Sequence, residues 1–142
     1  YREHLEKLVR KHSLQKAVSF IGRIQYTDLP GYICVGDIFA MPSRSRFAGL
    51  EVEGLGIVYL EASACGLPVI AGESGGAPDA VIEGVTGFVV DGTNIKEIAK
   101  RSIELLLDED LRRSMGSAGR AWIEKEWRWQ IWAGKFSELL AR

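Results

Sequence analysis

The chain is poor in cysteine and methionine, with two of each in 142 residues, and carries four prolines. Cys34 and Cys65 are far apart and lack the spacing of a metal site. Each sits in an apolar context, which predicts two buried free thiols and suits a reducing cytoplasm. Neither sign of charge is in excess. Eighteen Lys and Arg against nineteen Asp and Glu leave a net charge of −1, so no electrostatic footprint for nucleic acid exists. No apolar run approaches the ~20 residues of a membrane-spanning helix. No secretory signal peptide is visible. Internal repeats, linkers and low-complexity segments are missing too. What remains is a composition of 46% hydrophobic and 26% charged residues, as in ordinary soluble domains. The length suits one domain with a single core. The chain opens on Tyr1-Arg2-Glu3-His4-Leu5-Glu6, in mid-helix and without an initiator methionine, and so reads as a fragment or excised domain.

Periodicity predicts an alternation of helices and short strands. Leu5, Leu8, Val9 and His12 recur at helical spacing over residues 2–13. Val18 to Ile21 reads as a strand stopped by Gly22. Residues 27–35 read as a helix, with Thr27 or Asp28 as cap and Pro30 in the first turn. Asp37 to Met41 reads as a buried strand ended by Pro42, and residues 43–53 as a polar loop. A helix is expected over 55–65, a buried strand over 68–71 and a Gly-rich loop from Gly72 to Pro78. A short helix around 78–83 and a strand over 87–90 come next. A long helix follows, capped by Thr93 and running to Leu107, and then helices at 109–126 and 129–141. Short apolar strands without alternation must be covered on both faces. The fold class is therefore α/β, a Rossmann-like parallel sheet with helices on both faces. Ligands in such folds bind beyond the carboxyl ends of the strands. The loops 22–28, 42–54 and 72–78 all follow predicted strands and should gather there.

One stretch resists explanation as core packing. Glu53-Gly54-Leu55-Gly56-Ile57-Val58-Tyr59-Leu60-Glu61 places a carboxylate at each end of a Gly-x-Gly and an apolar run. Gly54 and Gly56 are poor helix formers placed where a helix should start. There they leave backbone N–H groups open to a close ligand, and a helix N-terminus attracts phosphate. A phosphate-facing turn flanked by two acids suits a ligand with both phosphate and hydroxyl groups. A nucleotide sugar is such a ligand.

These residues resemble the E-x7-E motif of retaining GT-B-fold glycosyltransferases, the large family that includes sucrose synthases and bacterial mannosyltransferases. Asp37-Ile38-Phe39-Ala40-Met41-Pro42-Ser43 is similar to that family's strand ending in Pro-Ser. Glu61-Ala62-Ser63-Ala64-Cys65-Gly66-Leu67-Pro68-Val69-Ile70 is similar to its E-A-x-A-x-G-x-P-V stretch. Gly75-Gly76-Ala77-Pro78-Asp79 resembles the G-G-x-P-E loop, with Asp in place of Glu, and Gly87-Phe88-Val89-Val90 resembles the strand that follows. The long loop from Ser43 to Val52, and the run from Val52 to Ala62 after it, bear a finer resemblance, to actinobacterial phosphatidylinositol mannosyltransferases. The resemblance implies the nucleotide-binding C-terminal half of a GT-B fold, truncated at its N-terminal end, over 1–142. It also implies transfer of mannose from GDP-mannose, or of another sugar from its nucleotide, to a lipid-linked or other hydroxyl acceptor. It calls for no cofactor and no metal. A nucleotide-binding module without transferase activity is the alternative, as is a GT-B-fold epimerase or phosphorylase. The acceptor would come through an N-terminal domain that this sequence lacks, together with the family's active-site His, since His4 and His12 lie on a surface-like helix. The fragment should not turn over alone, and the full-length enzyme should be cytoplasmic with peripheral association at the inner face of the membrane.

Residue roles follow from the same resemblance. Glu61 would accept hydrogen bonds from two ribose hydroxyls, which suits an acceptor-only carboxylate; the alternative is an exposed helical Glu paired with an Arg. Glu53 would face the transferred sugar and stabilise developing positive charge. A nucleophilic role in a double displacement, or a plain helix N-cap, stands beside that reading. Gly54, Leu55, Gly56 and Ile57 would offer backbone N–H groups to the diphosphate. Ile24 would line the base pocket, assisted by Tyr26 and Asp28, or simply end a strand. Arg44 and Arg46 are candidates for the donor phosphates or an anionic headgroup, against the commoner fate of solvated loop arginines. Trp122, Trp127, Trp129 and Trp132 are expected to pack between helices, with some rings exposed.

Overall fold

The computed structural model describes residues 1–141. Three parallel strands form the sheet, β1 (Phe39–Met41), β2 (Val69–Gly72) and β3 (Gly87–Val90), in the order β1-β2-β3. Phe39 stands opposite Val69 and Ile70 opposite Phe88. Helices α1 (Arg2–Lys11) and α2 (Leu29–Cys34) precede the sheet, and α3 (Ile57–Ala64) joins β1 to β2. Helices α4 (Ile95–Leu107), α5 (Glu109–Glu126) and α6 (Trp129–Leu140) follow it.

β2 is the axis of the core and is buried throughout. Its alternating side chains feed two clusters. Val69 and Ala71 pack with Tyr59 and Ala62 of α3 and with Ala77, Ala80 and Val81. Ile70 points the other way, among Phe88, Val90, Leu105 of α4 and Met115 of α5. Both faces of the sheet are therefore covered, as the apolar strands predict.

The helix ends are set by named groups. The Asn94 side chain accepts from the Glu97 N–H at 3.2 Å and starts α4. Asp108 closes α4 and caps α5 by accepting from the Leu111 N–H at 2.9 Å. Arg112 then donates to the carbonyls of Leu105 and Leu106, which α4 leaves unpaired.

Several expectations are corrected. Residues 18–21 form no strand. Ile21 is 64% exposed, and the segment finds neither a ladder partner nor a buried face to hold it extended. β1 is an edge strand with Ala40 exposed rather than a buried one, and Asp37 lies before it, 3.6 Å from Arg112. The cap of α4 is Asn94, because the Thr93 N–H and hydroxyl are both taken up by the Asp91 carboxylate. The expected helix at 78–83 is a single 3-10 turn, Ala77–Ala80. The loop after β1 is not wholly irregular: Arg46 and Glu51 bridge antiparallel around a turn at Phe47–Gly49. Cys34 is exposed and Cys65 half-buried, because α2 lies at the surface with no buried residue. The Cys65 thiol donates to the Pro30 carbonyl at 3.9 Å, and burial first and then the neighbouring Cys34 push its pKa up to about 11, so it stays a thiol near neutral pH.

Candidate functional site

The loops after β1 and β2 meet beyond the carboxyl ends of the strands. The Ser45 and Ser74 hydroxyls lie 3.1 Å apart. Ser74 accepts from the Glu53 N–H at 3.2 Å, and the Glu53 carbonyl accepts from the Gly76 N–H at 3.1 Å. Any side chain at Gly75 would collide with that carbonyl, so the second loop lies tight against the backbone of Glu53. The expected gathering of the 22–28 loop with these two is met only in that Tyr26 lines a cavity with Glu61.

α3 begins at Ile57, two residues later than its expected start. Gly56 sits before it at φ 72°, in the left-handed region, and a Cβ there would strike the Tyr59 ring. No side chain caps the helix. Among the described residues, no carbonyl or side chain accepts from the N–H groups of Gly54, Leu55, Gly56 or Ile57. This row of free donors at a helix N-terminus is suited to an anion.

The two glutamates are set differently. Glu53 is half-buried, with its Oε2 3.5 Å from the Ser43 hydroxyl. Glu61 is half-buried on α3 and lines two adjoining cavities. One, of about 370 Å³, runs past Tyr26, Leu29, Pro30, Ile33 and Cys65. The other, of about 600 Å³, is walled by Leu55, Ile57, Leu60, Ile123 and the rings of Trp127, Trp129 and Trp132. Among the described residues no ion pair includes Glu61, so the alternative of a helical Glu–Arg pair does not hold.

A family model described as glycosyl transferases group 1 matches residues 1–122. The chain belongs to the group 1 glycosyltransferases. Among its relatives is the GDP-mannose-dependent alpha-(1-6)-phosphatidylinositol monomannoside mannosyltransferase of Mycobacterium tuberculosis. The two are 48% identical over 140 residues, 99% of this chain and 36% of that protein. Among solved structures, sucrose-phosphate synthase from Thermosynechococcus elongatus superposes with a TM-score of 0.87 at 30% identity, over 99% of this chain and 33% of that one. Anabaena HepE, solved with UDP and glucose, gives 0.82 at 26% identity over 99% of this chain and 36% of its own. The chain thus spans about a third of the length of these proteins.

Within this glycosyltransferase chain the other expected site residues are less closely gathered. Ile24 is half-buried but does not line the Glu61 cavity; Tyr26 does. Asp28 lines a separate surface depression with Thr27, Gly31, Tyr32 and Val35. Arg44 is exposed beside Ser43, and among the described residues no ion pair includes it. Arg46 is 3.4 Å from Glu51 and lies over the Phe47 ring, so its charge is taken up within its own loop. Trp122 and Trp127 pack edge to face at 5.6 Å, while Trp129 is 85% exposed.

Sequence reasoning missed three hydroxyl residues around Glu53: Ser43, Ser74 and Tyr59. Tyr59 was legible in principle, because a tyrosine inside a buried apolar run needs a partner for its hydroxyl. Burial pushes the Tyr59 phenol above its usual range. The Ser43 hydrogen bond opposes that shift, and the nearby Glu53 charge adds to it.

Proposed function

We propose that this chain is a single donor-binding domain of a mannosyltransferase that takes mannose from GDP-mannose and adds it to a lipid-borne inositol mannoside. The observation that carries this reading is 48% identity over 99% of the chain to a GDP-mannose-dependent mannosyltransferase. The site supports it physically. The free N–H groups at Gly54, Leu55, Gly56 and Ile57 receive the diphosphate. Glu61, in no ion pair among the described residues and facing a cavity, accepts from the ribose hydroxyls. Glu53 faces the mannose and stabilises the positive charge that grows as the donor bond breaks. The base sits towards Tyr26 and the 22–28 segment that includes Ile24, and Arg44 faces phosphate or headgroup. HepE, solved with UDP and glucose, supports nucleotide-sugar binding on this fold. The remaining length of the enzyme brings the acceptor, at a membrane face. Among the described residues no helix is long and apolar enough to cross a membrane. No observation favours an inactive nucleotide module, an epimerase or a phosphorylase.

The test is transfer of labelled mannose from GDP-mannose to phosphatidylinositol monomannoside by the full-length enzyme, with UDP-glucose and ADP-glucose as rival donors. Transfer from GDP-mannose at least tenfold faster than from either rival is expected. Preferential transfer of glucose would overturn the donor assignment.

A further inference from the structure

A short chain of hydroxyls runs from deep in the core to the Glu53 carboxylate. Tyr59 is fully buried, its ring edge-on to Phe39 at 6.1 Å. Its hydroxyl donates to the Met41 carbonyl at 2.7 Å and lies 2.8 Å from Ser43 Oγ. Because the Tyr59 proton is committed to Met41, the Ser43 proton is the one left to share. Its acceptors are the Tyr59 oxygen at 2.8 Å, the Met41 carbonyl at 3.4 Å and Glu53 Oε2 at 3.5 Å. Ser43 itself cannot drift, since Gly72 and Gly92 press so closely on its carbonyl that neither has room for a Cβ. The backbone of Glu53 is pinned just as firmly by Ser74 and Gly76. One rotating hydroxyl therefore stands between two fixed points, one in the core and one in the site.

We propose that Ser43, held by Tyr59, is a positioning residue that aims the Glu53 carboxylate at the bound sugar. When donor binds, the Ser43 proton turns to Glu53, the Tyr59 proton turns from Met41 to Ser43 Oγ, and the 3.5 Å contact shortens, as catalytic hydrogen bonds do on forming the reactive complex. Tyr59 then donates to Ser43 and so keeps it in place, while the Met41 carbonyl still accepts from the Ser43 N–H at 2.7 Å. No covalent step is involved. This inference rests on the reading of Glu53 as the residue facing the sugar.

The experiment uses steady-state kinetics of the full-length transferase with GDP-mannose. Ser43→Ala should lower kcat about tenfold or more while the KM for donor stays within about twofold, the signature of an interaction realised in the transition state. Ser43→Thr, which restores the hydroxyl, should recover most of the loss. Tyr59→Phe should lower kcat severalfold. The double variant Ser43→Ala/Tyr59→Phe should be no slower than Ser43→Ala, since Tyr59 acts through Ser43. A folded Ser43→Ala with kcat within twofold of the parent would overturn the proposal, as would additive losses in the double variant. If Ser43→Ala fails to fold by its melting curve, Tyr59→Phe decides: unchanged kcat overturns the proposal and a selective kcat loss supports it. Glu53→Gln in the same assay separates the two levels. Parent-like turnover there removes the role of Glu53 itself; its loss beside a parent-like Ser43→Ala removes the positioning alone.

Discussion

At the scale of single residues the two acids differ in what holds them. Glu53 is fastened at its backbone by Ser74 and Gly76 and approached at its carboxylate by Ser43. Glu61 has no ion-pair partner among the described residues, and its carboxylate faces two cavities. A group with no ion pair to lose contributes little to the folded state. Such a group is therefore free to be spent on a ligand. Glu61→Gln should leave the melting temperature within about 2 °C of the parent, because it breaks no buried network. It should weaken GDP-mannose binding by about tenfold or more, since hydrogen bonds to a charged acceptor contribute about 1.5–3 kcal/mol. Titration calorimetry beside a thermal melt checks both halves. Affinity unchanged by the substitution would remove Glu61 from the proposed ribose site.

At the scale of elements, the parts with strong local signals were legible. β2, β3, α3, α4 and α5 announce themselves by apolar runs or helical periodicity, with Gly66 and Pro68 marking the boundary between α3 and β2. The residues 18–21 carry an equally apolar pattern and form no strand, because a strand exists only where a neighbour completes its ladder. The acid pair and the glycine turn were legible because both lie within one continuous stretch. The Ser43–Tyr59–Glu53 contact was not, since its members belong to a strand end, a helix and a loop that only folding brings together. The turn after β3 shows the same limit in small. Thr93 was the expected cap, but its N–H and hydroxyl are 2.8 and 2.7 Å from the Asp91 carboxylate, which leaves Asn94 to start the helix. Those two bonds, from the Thr93 hydroxyl first and its N–H second, hold the Asp91 carboxyl below the usual carboxylate range. A depressed folded-state pKa contributes stability that is present above the unfolded value near 4 and is lost as pH falls through the folded value. Asp91→Asn should therefore melt lower than the parent at pH 7. The gap should close as the pH is taken from about 4 downwards. Melting curves from pH 7 to 2.5 test this, and a gap independent of pH would show that the Asp91 charge is not what holds the turn.

At the scale of the whole molecule, the two core clusters share one strand. Val69 and Ala71 belong to the cluster with α3, and Ile70 to the cluster with α4 and α5. The site loops start at the carboxyl ends of β1 and β2, so the geometry around Glu53 depends on a strand that both clusters hold. α1 and α6, by contrast, have no buried residue at all. Protection against hydrogen exchange should follow this division. The amides of β2 should exchange only through global opening, and those of α1 and α6 through local opening at much lower free energy. Leu105 is fully buried on the far side of the sheet from Glu53. Leu105→Ala should cost about 2–5 kcal/mol by removing a large buried side chain. Because the clusters meet in β2, that loss should speed exchange equally in β2 and in the α3 segment that carries Glu61, and leave α1 unchanged. Faster exchange confined to α4 and β3, with α3 still at the parent rate, would mean that the two faces open separately and that the site rests on its own cluster alone.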